Sequence, residues 1–210
     1  MSHDVYVPKS TLCPRMGFVL DVVGYGRRTW QAQAWVETRL NSLVVSILAD
    51  IGIERDEAWI DGRSGDSVLV FFPAGVDPTT MLPGLLMAAA NRLVRENAPS
   101  GDPMRIRMAV GFGLVGYGER GTTGPLVVDL SRLNDCEPIR QAVEDHPNSD
   151  LVAVVADTLY QYLVRSGPLP SYLGTFRRVD VVRKEFSEPA WLWLPSDLTD
   201  LRPAGKSWGF

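Results

Sequence analysis

Two histidines and two cysteines are all that the 210 residues contain of the side chains most used to hold soft metals or to build nucleophilic triads. His3 lies at the N-terminus and His146 in a polar stretch, which leaves almost no room for a histidine-based triad or a zinc cage. Cys13 and Cys136 have no metal-ligand spacing. One disulfide between them is possible, but nothing demands it, so a reducing cytoplasm is the default expectation. No apolar run approaches the roughly 20 residues of a membrane span. The opening Met1-Ser2-His3-Asp4 lacks the basic and apolar regions of a signal peptide. Net positive charge is also missing. At −4 the chain argues against a nucleic-acid surface spread over the whole protein, although a local basic patch is not excluded. Internal repeats, low-complexity tracts and linkers are absent as well. What remains, at 45% hydrophobic and 22% charged, is an ordinary globular composition.

The stretch Gly17-Phe18-Val19-Leu20-Asp21-Val22-Val23-Gly24-Tyr25-Gly26 carries the most chemistry. Its short Val, Leu and Phe run between glycines reads as a buried strand. An ionised Asp in such a strand is costly unless a cation, a metal or N–H donors satisfy it. The Gly24-Tyr25-Gly26 turn can offer backbone N–H groups to an anion. Together these suit a metal-nucleotide site. The plain alternative is an aspartate capping the next helix.

Along the chain, residues 1–16 read as a lead-in, 17–195 as one α/β domain and 196–210 as a tail. Apolar spacings of three and four predict helices over 29–50 and from Asp77 to about Glu96, with Pro83 in the first turns of the second. Trp59-Ile60 and Ser67 to Phe72 read as strands joined by an Asp61–Asp66 turn. Met104 to Gly113 is a strand, Gly116 to Gly124 a glycine-rich loop, and Leu126 to Leu133 a helix carrying Arg132. A short helical piece at 138–143, a strand at 151–155, a helix capped by Asp157 and strands at 176–183 and 189–194 complete the reading. The order is a ferredoxin-like βαββαβ core with a C-terminal α-β-α-β-β extension. In that core the first strand neighbours the hairpin, so Asp21 and Asp66 meet at one edge of the sheet. Two adjacent carboxylates repel, and a hard divalent ion, Mg²⁺ or Mn²⁺, relieves this.

Four segments in this order resemble the class III nucleotidyl cyclase homology domain. They are Phe18 to Tyr25, Gly65 to Phe71, Arg105 to Gly111 and Gly124 to Leu133. The endings Arg178 to Glu185 and Ala190 to Pro195 are similar to those of stand-alone bacterial cyclase-like proteins, a group that includes pyrimidine cyclases of anti-phage signalling. The resemblance implies that Asp21 and Asp66 bind two metal ions. It implies that the backbone from Val22 and Val23 through Gly24, Tyr25 and Gly26 holds phosphates. Arg132 would stabilise charge at the α-phosphate and Lys184 would meet the terminal phosphates. A homodimer with shared sites would follow, because the family's aspartates and arginine come from different domains. The departures are specific. Val128 stands where the family has an asparagine four residues before the arginine. Gly62, beside Arg63, and Gly121 stand at the two base-reading positions, so neither adenine nor guanine specificity is written.

Each candidate has a plain counterpart. The aspartates would cap turns; Arg132 would form a surface or dimer-interface salt bridge; Lys184, Arg27 and Arg28 would be solvated. Trp30 and Trp35 read as core or interface, and Trp191 and Trp193 share a sheet face and pack.

Overall fold

The computed structural model describes residues 11–119, 121–183 and 186–195, without the side chains of Arg63, Ser64, Arg183 and Phe186. β1 (Cys13–Val22) leads through a 3₁₀ turn to α1 (Trp30–Asp50), then β2 (Trp59–Ser64), β3 (Ser67–Phe71), α2 (Pro78–Asn97) and β4 (Ile106–Gly118). After this βαββαβ core come β5 (Gly121–Thr123), α3 (Pro125–Asn134), α4 (Glu137–Asp145), β6 (Leu151–Ala156), α5 (Asp157–Arg165), β7 (Phe176–Arg183) and β8 (Phe186–Trp193). The strands form one eight-stranded sheet in the order β2-β3-β1-β4-β6-β8-β7, with β5 paired to β4. β4 and β6 are parallel, and the other pairs are antiparallel.

Period-two alternation divides the central strand between two cores. Met16, Phe18, Leu20 and Val22 pack with residues of α1, α2 and α5. Val19 packs on the other face with Leu126 and Leu130 of α3 and Ile139 of α4, and Val23 joins that cluster. Asp21 alternates with Val19 and Val23, so it points to the α3–α4 side at the end of β1.

Several boundaries differ from the sequence expectation. β1 begins at Cys13, because residues 13–16 pair with 112–115 of a long β4. Gly116, Gly118 and Gly121 lie in the β4–β5 ladder rather than in a loop, and Gly124 precedes α3. Earlier in β4, glycine is used for close packing: a Cβ at Gly111 would lie 3.1 Å from Leu126 Cδ1. The β2–β3 turn is tighter than expected, with a bulge between Gly62 and Ser64. Pro83 lies in the interior of α2, past its first turn. Asp157 opens α5 rather than capping it, and accepts a hydrogen bond from Trp191 Nε1 at 2.8 Å. Trp30 and Trp35 are 74% and 59% exposed, so neither is a core residue. Trp193 is buried, and Trp191 stacks on Tyr160 at 3.7 Å. No helix among the described residues is long and apolar enough to cross a membrane.

Candidate nucleotide site

Asp21 is the residue that the two central ladders converge on. It pairs with Ser67 of β3 on one side and Arg107 of β4 on the other. Asp66 immediately precedes Ser67, and its carbonyl accepts the Val22 N–H at 2.9 Å. Burial raises the Asp21 pKa, and the charge of nearby Asp66 adds to the rise. Burial is the larger cause of that upward shift; the hydrogen bond and charge of Arg107 oppose it, and the charge of Arg140 does so more weakly. Asp21 caps no helix. The turn that follows has Gly24 at its N-cap with φ 74°, a left-handed conformation suited to glycine.

Arg107 was not singled out by the sequence. Its Nε donates to Asp21 Oδ2 at 3.0 Å, and Nη2 forms an ion pair with the same oxygen. The side chains are only 20% and 15% exposed, so this is a largely desolvated pair. Arg105 lies two residues earlier on the same face. Its guanidinium donates to the carbonyls of Val143 at 2.6 Å, His146 at 3.0 Å and Ser149 at 3.2 Å. Arg27, Arg105, Arg107 and Arg140 line a cavity of about 360 Å³ beside Val23 and Gly24, with Glu144 as its one carboxylate. The signal for the two strand arginines was legible: Ile106 and Met108 are buried, so Arg105 and Arg107 must face the opposite way.

The other expected residues fall as follows. The N–H groups of Val22 and Val23 are engaged by the carbonyls of Asp66 and Arg105, at 2.9 and 2.8 Å. This corrects their expected role as phosphate donors. Tyr25 Oη donates to Glu37 Oε1 at 2.6 Å, which pushes the Tyr25 pKa up to about 12. Gly62 lines a different cavity, of about 370 Å³, with Glu37, Asn41, Gly65 and Ser67. At Gly121, the other position the resemblance links to the base, Asp61 occupies the space a side chain would need. A Cβ on Gly121 would meet Asp61 Oδ2 at 2.8 Å, and that oxygen accepts from the N–H and hydroxyl of Thr122 at 3.0 and 2.6 Å. Arg132 is on α3, 3.8 Å from Asp129, one helical turn away. The Arg63 side chain and Lys184 lie outside the described residues. Arg28 is not a solvated loop residue: it pairs with Asp102 and donates to the Pro103 carbonyl at 3.3 Å.

A divalent ion fits this donor set in one particular way. No group of three or more His, Cys, Asp or Glu able to hold a metal occurs among the described residues. Mg²⁺ does not require one: it keeps waters and binds through one or two carboxylates plus substrate phosphates. Asp21 and Asp66 match that pattern of hard oxygen ligands.

No protein-family model matches the sequence, and no curated protein does. Solved structures do. The guanylyl cyclase Cya2 is 14% identical, with a TM-score of 0.61, and the match covers 89% of this chain and 92% of that one. The adenylate/guanylate cyclase/hydrolase from Silicibacter pomeroyi is 17% identical over 89% and 99% of the two chains, with a TM-score of 0.60. The adenylyl cyclase CyaB from P. aeruginosa is 16% identical over 89% and 95%, with a TM-score of 0.59. The fold is that of a class III nucleotidyl cyclase domain. At 89% of this chain, the match reaches beyond the βαββαβ core into the α3-to-β8 extension.

Proposed function

We propose that this chain is a metal-dependent nucleotidyl cyclase, converting a nucleoside triphosphate to a 3′,5′-cyclic nucleotide and pyrophosphate for intracellular signalling. The observation that supports this reading is that Asp66, next to the Asp21 partner Ser67, is near enough for its charge to act on Asp21, within a cyclase fold. In the reaction the ribose 3′-oxygen bonds to the α-phosphorus, the bond from that phosphorus to the bridging oxygen breaks, and pyrophosphate leaves with the electron pair. The 3′-hydroxyl proton passes to solvent. Catalysis of such a step is mainly positioning and charge stabilisation. Two Mg²⁺ or Mn²⁺ ions held by Asp21 and Asp66 would supply charge neutralisation at the 3′-oxygen and the phosphates. The Gly24–Gly26 amides hold phosphate oxygens, with Lys184 as the further cation. Arg132 acts at the α-phosphate. It is 39% exposed at its side chain, which suits a residue that serves the site of a second protomer in a homodimer. The nucleotide is taken up without membrane or nucleic-acid partners.

A second reading has its own observation. Val128, at the position of the family's asparagine, is 47% exposed and offers no hydrogen bond to a ribose. In this reading the fold binds nucleotide, or a partner protein, without turnover. One assay separates the two. The pure protein is incubated with each of the four ribonucleoside triphosphates and Mn²⁺, and products are identified by mass spectrometry. The cyclase reading expects a cyclic nucleotide from at least one, lost in Asp21→Ala. No product from any of the four would overturn it.

A further inference from the structure

The sheet ends differently on its two sides. β2, at one edge, has six residues and a bulge between Gly62 and Ser64. β7 is last on the other side among the described residues. It runs for eight residues in unbroken register with β8, from Phe176 opposite Trp193 to Arg183 opposite Phe186. Edge strands are kept from pairing with other chains by shortness, proline, bulges or charge. Of these β7 has only charge, and its charges are of both signs. Arg178 and Asp180 lie two residues apart on one face, 3.2 Å from each other, with side chains 58% and 72% exposed. Val182 follows on the same face and is 70% exposed. Charges of one sign would repel a second strand. This alternation is complementary to itself.

We propose that β7 pairs with the β7 of a second copy of this chain, antiparallel about a two-fold axis at Val179. A two-fold axis perpendicular to a continuous sheet opposes residues that share a face, which leaves few registers. An axis at Arg178 would oppose that arginine to itself, and an axis at Asp180 would oppose two carboxylates; like charges directly opposite are destabilising. An axis at Val179 sets Arg178 opposite the partner's Asp180, twice by symmetry. It also sets the exposed Val182 opposite the partner's Phe176. The main-chain ladder then supplies the attraction and the charges choose the register. One strand from each chain is small beside the roughly 20–30 residues a side of a standard interface, so the pairing is reversible and depends on concentration. β4, β6 and β8 separate β7 from β1, so the contact lies apart from the aspartate pair and does not depend on the cyclase reading.

The test is sedimentation velocity of the full chain between roughly 1 μM and 1 mM, the span of weak association. The mass of the wild type doubles with rising concentration. Arg178→Asp and Asp180→Arg each set like charges opposite one another twice, and each weakens the association at least about tenfold. The double variant Arg178→Asp with Asp180→Arg exchanges the partners and restores association to within about threefold of the wild type, a rescue that damage to the fold would not give. Val179→Cys joins to its counterpart under mild oxidation. Val182→Cys does not, since its counterpart lies at the far end of the ladder, and the wild type controls for Cys13 and Cys136. A cyclase homodimer would double the mass of every variant alike, so the difference between variants reads the edge contact alone, whether or not any cyclic nucleotide is formed. The proposal is overturned if the wild-type mass does not change with concentration, as it would not if the chain's own residues covered the edge. It is also overturned if the double variant associates as weakly as the single ones, or if Val182→Cys cross-links as readily as Val179→Cys.

Discussion

Replacing Arg39 by Met should cost this protein about 3 kcal/mol, the lower end of the range for breaking a buried ion pair. Arg39 is 3% exposed, the most buried charged residue among those described. Its guanidinium donates to Glu96 Oε1 at 3.1 Å, the Glu96 carbonyl at 3.1 Å, Asn97 Oδ1 at 3.0 Å and the Asp102 carbonyl at 2.8 Å. Four bonds to a charged donor, at roughly 1.5–3 kcal/mol each, would sum to far more than a single residue contributes. They share one group and are not additive. The Glu96 side chain is 32% exposed, so water re-solvates it once Arg39 is gone, and this sets the estimate at the low end. The consequence extends beyond α1. Asn97 also bonds the N–H and carbonyl of Met104 at 2.9 and 2.7 Å, just before Arg105 and Arg107 enter the sheet. Urea unfolding of wild type and Arg39→Met at neutral pH measures the effect as a shift in midpoint at constant slope. Arg39→Lys should recover less than half of the loss, because one ammonium cannot span four acceptors. A loss below about 1 kcal/mol, the value of a surface pair, would refute the reasoning.

Other outcomes follow from single features. Gly17→Ala places a Cβ 2.5 Å from Phe71 Cδ1 and 2.9 Å from the Val70 carbonyl, so overpacking of about 1–3 kcal/mol should lower the thermal midpoint; an unchanged midpoint would contradict the close approach of β1 and β3. Tyr25 should titrate near 12, and Glu37→Gln should return it toward its ordinary value of 10, followed by ultraviolet absorbance. Because the folded pKa is raised, the associated stability is full below pH 10 and is lost as pH rises through about 12. Asp50 behaves oppositely: its hydrogen bond to Arg92 depresses its pKa, so that stability is present above the ordinary 3.8 and is lost as pH falls through the lower folded value. Arg92→Ala should bring Asp50 back toward 3.8 by NMR titration. Asp61→Ala removes an acceptor of the buried Thr122 N–H and should speed hydrogen exchange at that amide; an unaltered rate would mean that the β4–β5 hairpin does not depend on Asp61.

Much of the fold was legible because its signals are local. The helical spacing of α1 and α2, the run of β6 and the alternation of β7 each state their own structure. What the sequence hid depends on partners. Gly116 and Gly118 look like loop residues, yet they belong to a long strand. Cys13 to Met16 supply its ladder, and Leu126 of α3 leaves no room for a side chain at Gly111. Pro83 looks like a helix-start proline, but the apolar contacts of Leu82, Leu85 and Leu86 carry α2 through it. Within the site, the βαββ order alone sets the backbone of Asp66 beside the end of β1, where its carbonyl accepts the Val22 N–H. The role of Arg107 needed the register, which sets it opposite Asp21 and not one residue away. A slip of one residue would have turned it to the other face. Arg140 was less accessible still, since its place beside the Gly24 turn follows from how α4 packs under the sheet.

That register has a chemical consequence for the proposed cyclase. Among the described residues no third acidic ligand joins this pair of carboxylates, which makes it a poor permanent home for a divalent ion, and Arg107 makes it poorer by occupying one Asp21 oxygen. The same arrangement is an advantage if the ion arrives with the nucleotide. Phosphate oxygens then complete its coordination, and the arginine wall receives the excess negative charge. Free metal alone would bind weakly; metal with triphosphate would bind well. The burial that raises the Asp21 pKa works in the same direction, because a desolvated carboxylate needs a cation beside it, Arg107 at rest or a metal ion when one is bound. The strand residue that first reads as an isolated carboxylate thus has a resident counter-ion that a ligand must displace. On this reasoning Mn²⁺ affinity measured by electron paramagnetic resonance, without nucleotide, should rise in Arg107→Gln. A fall in that affinity would mean that Arg107 supports the metal site instead of competing for it.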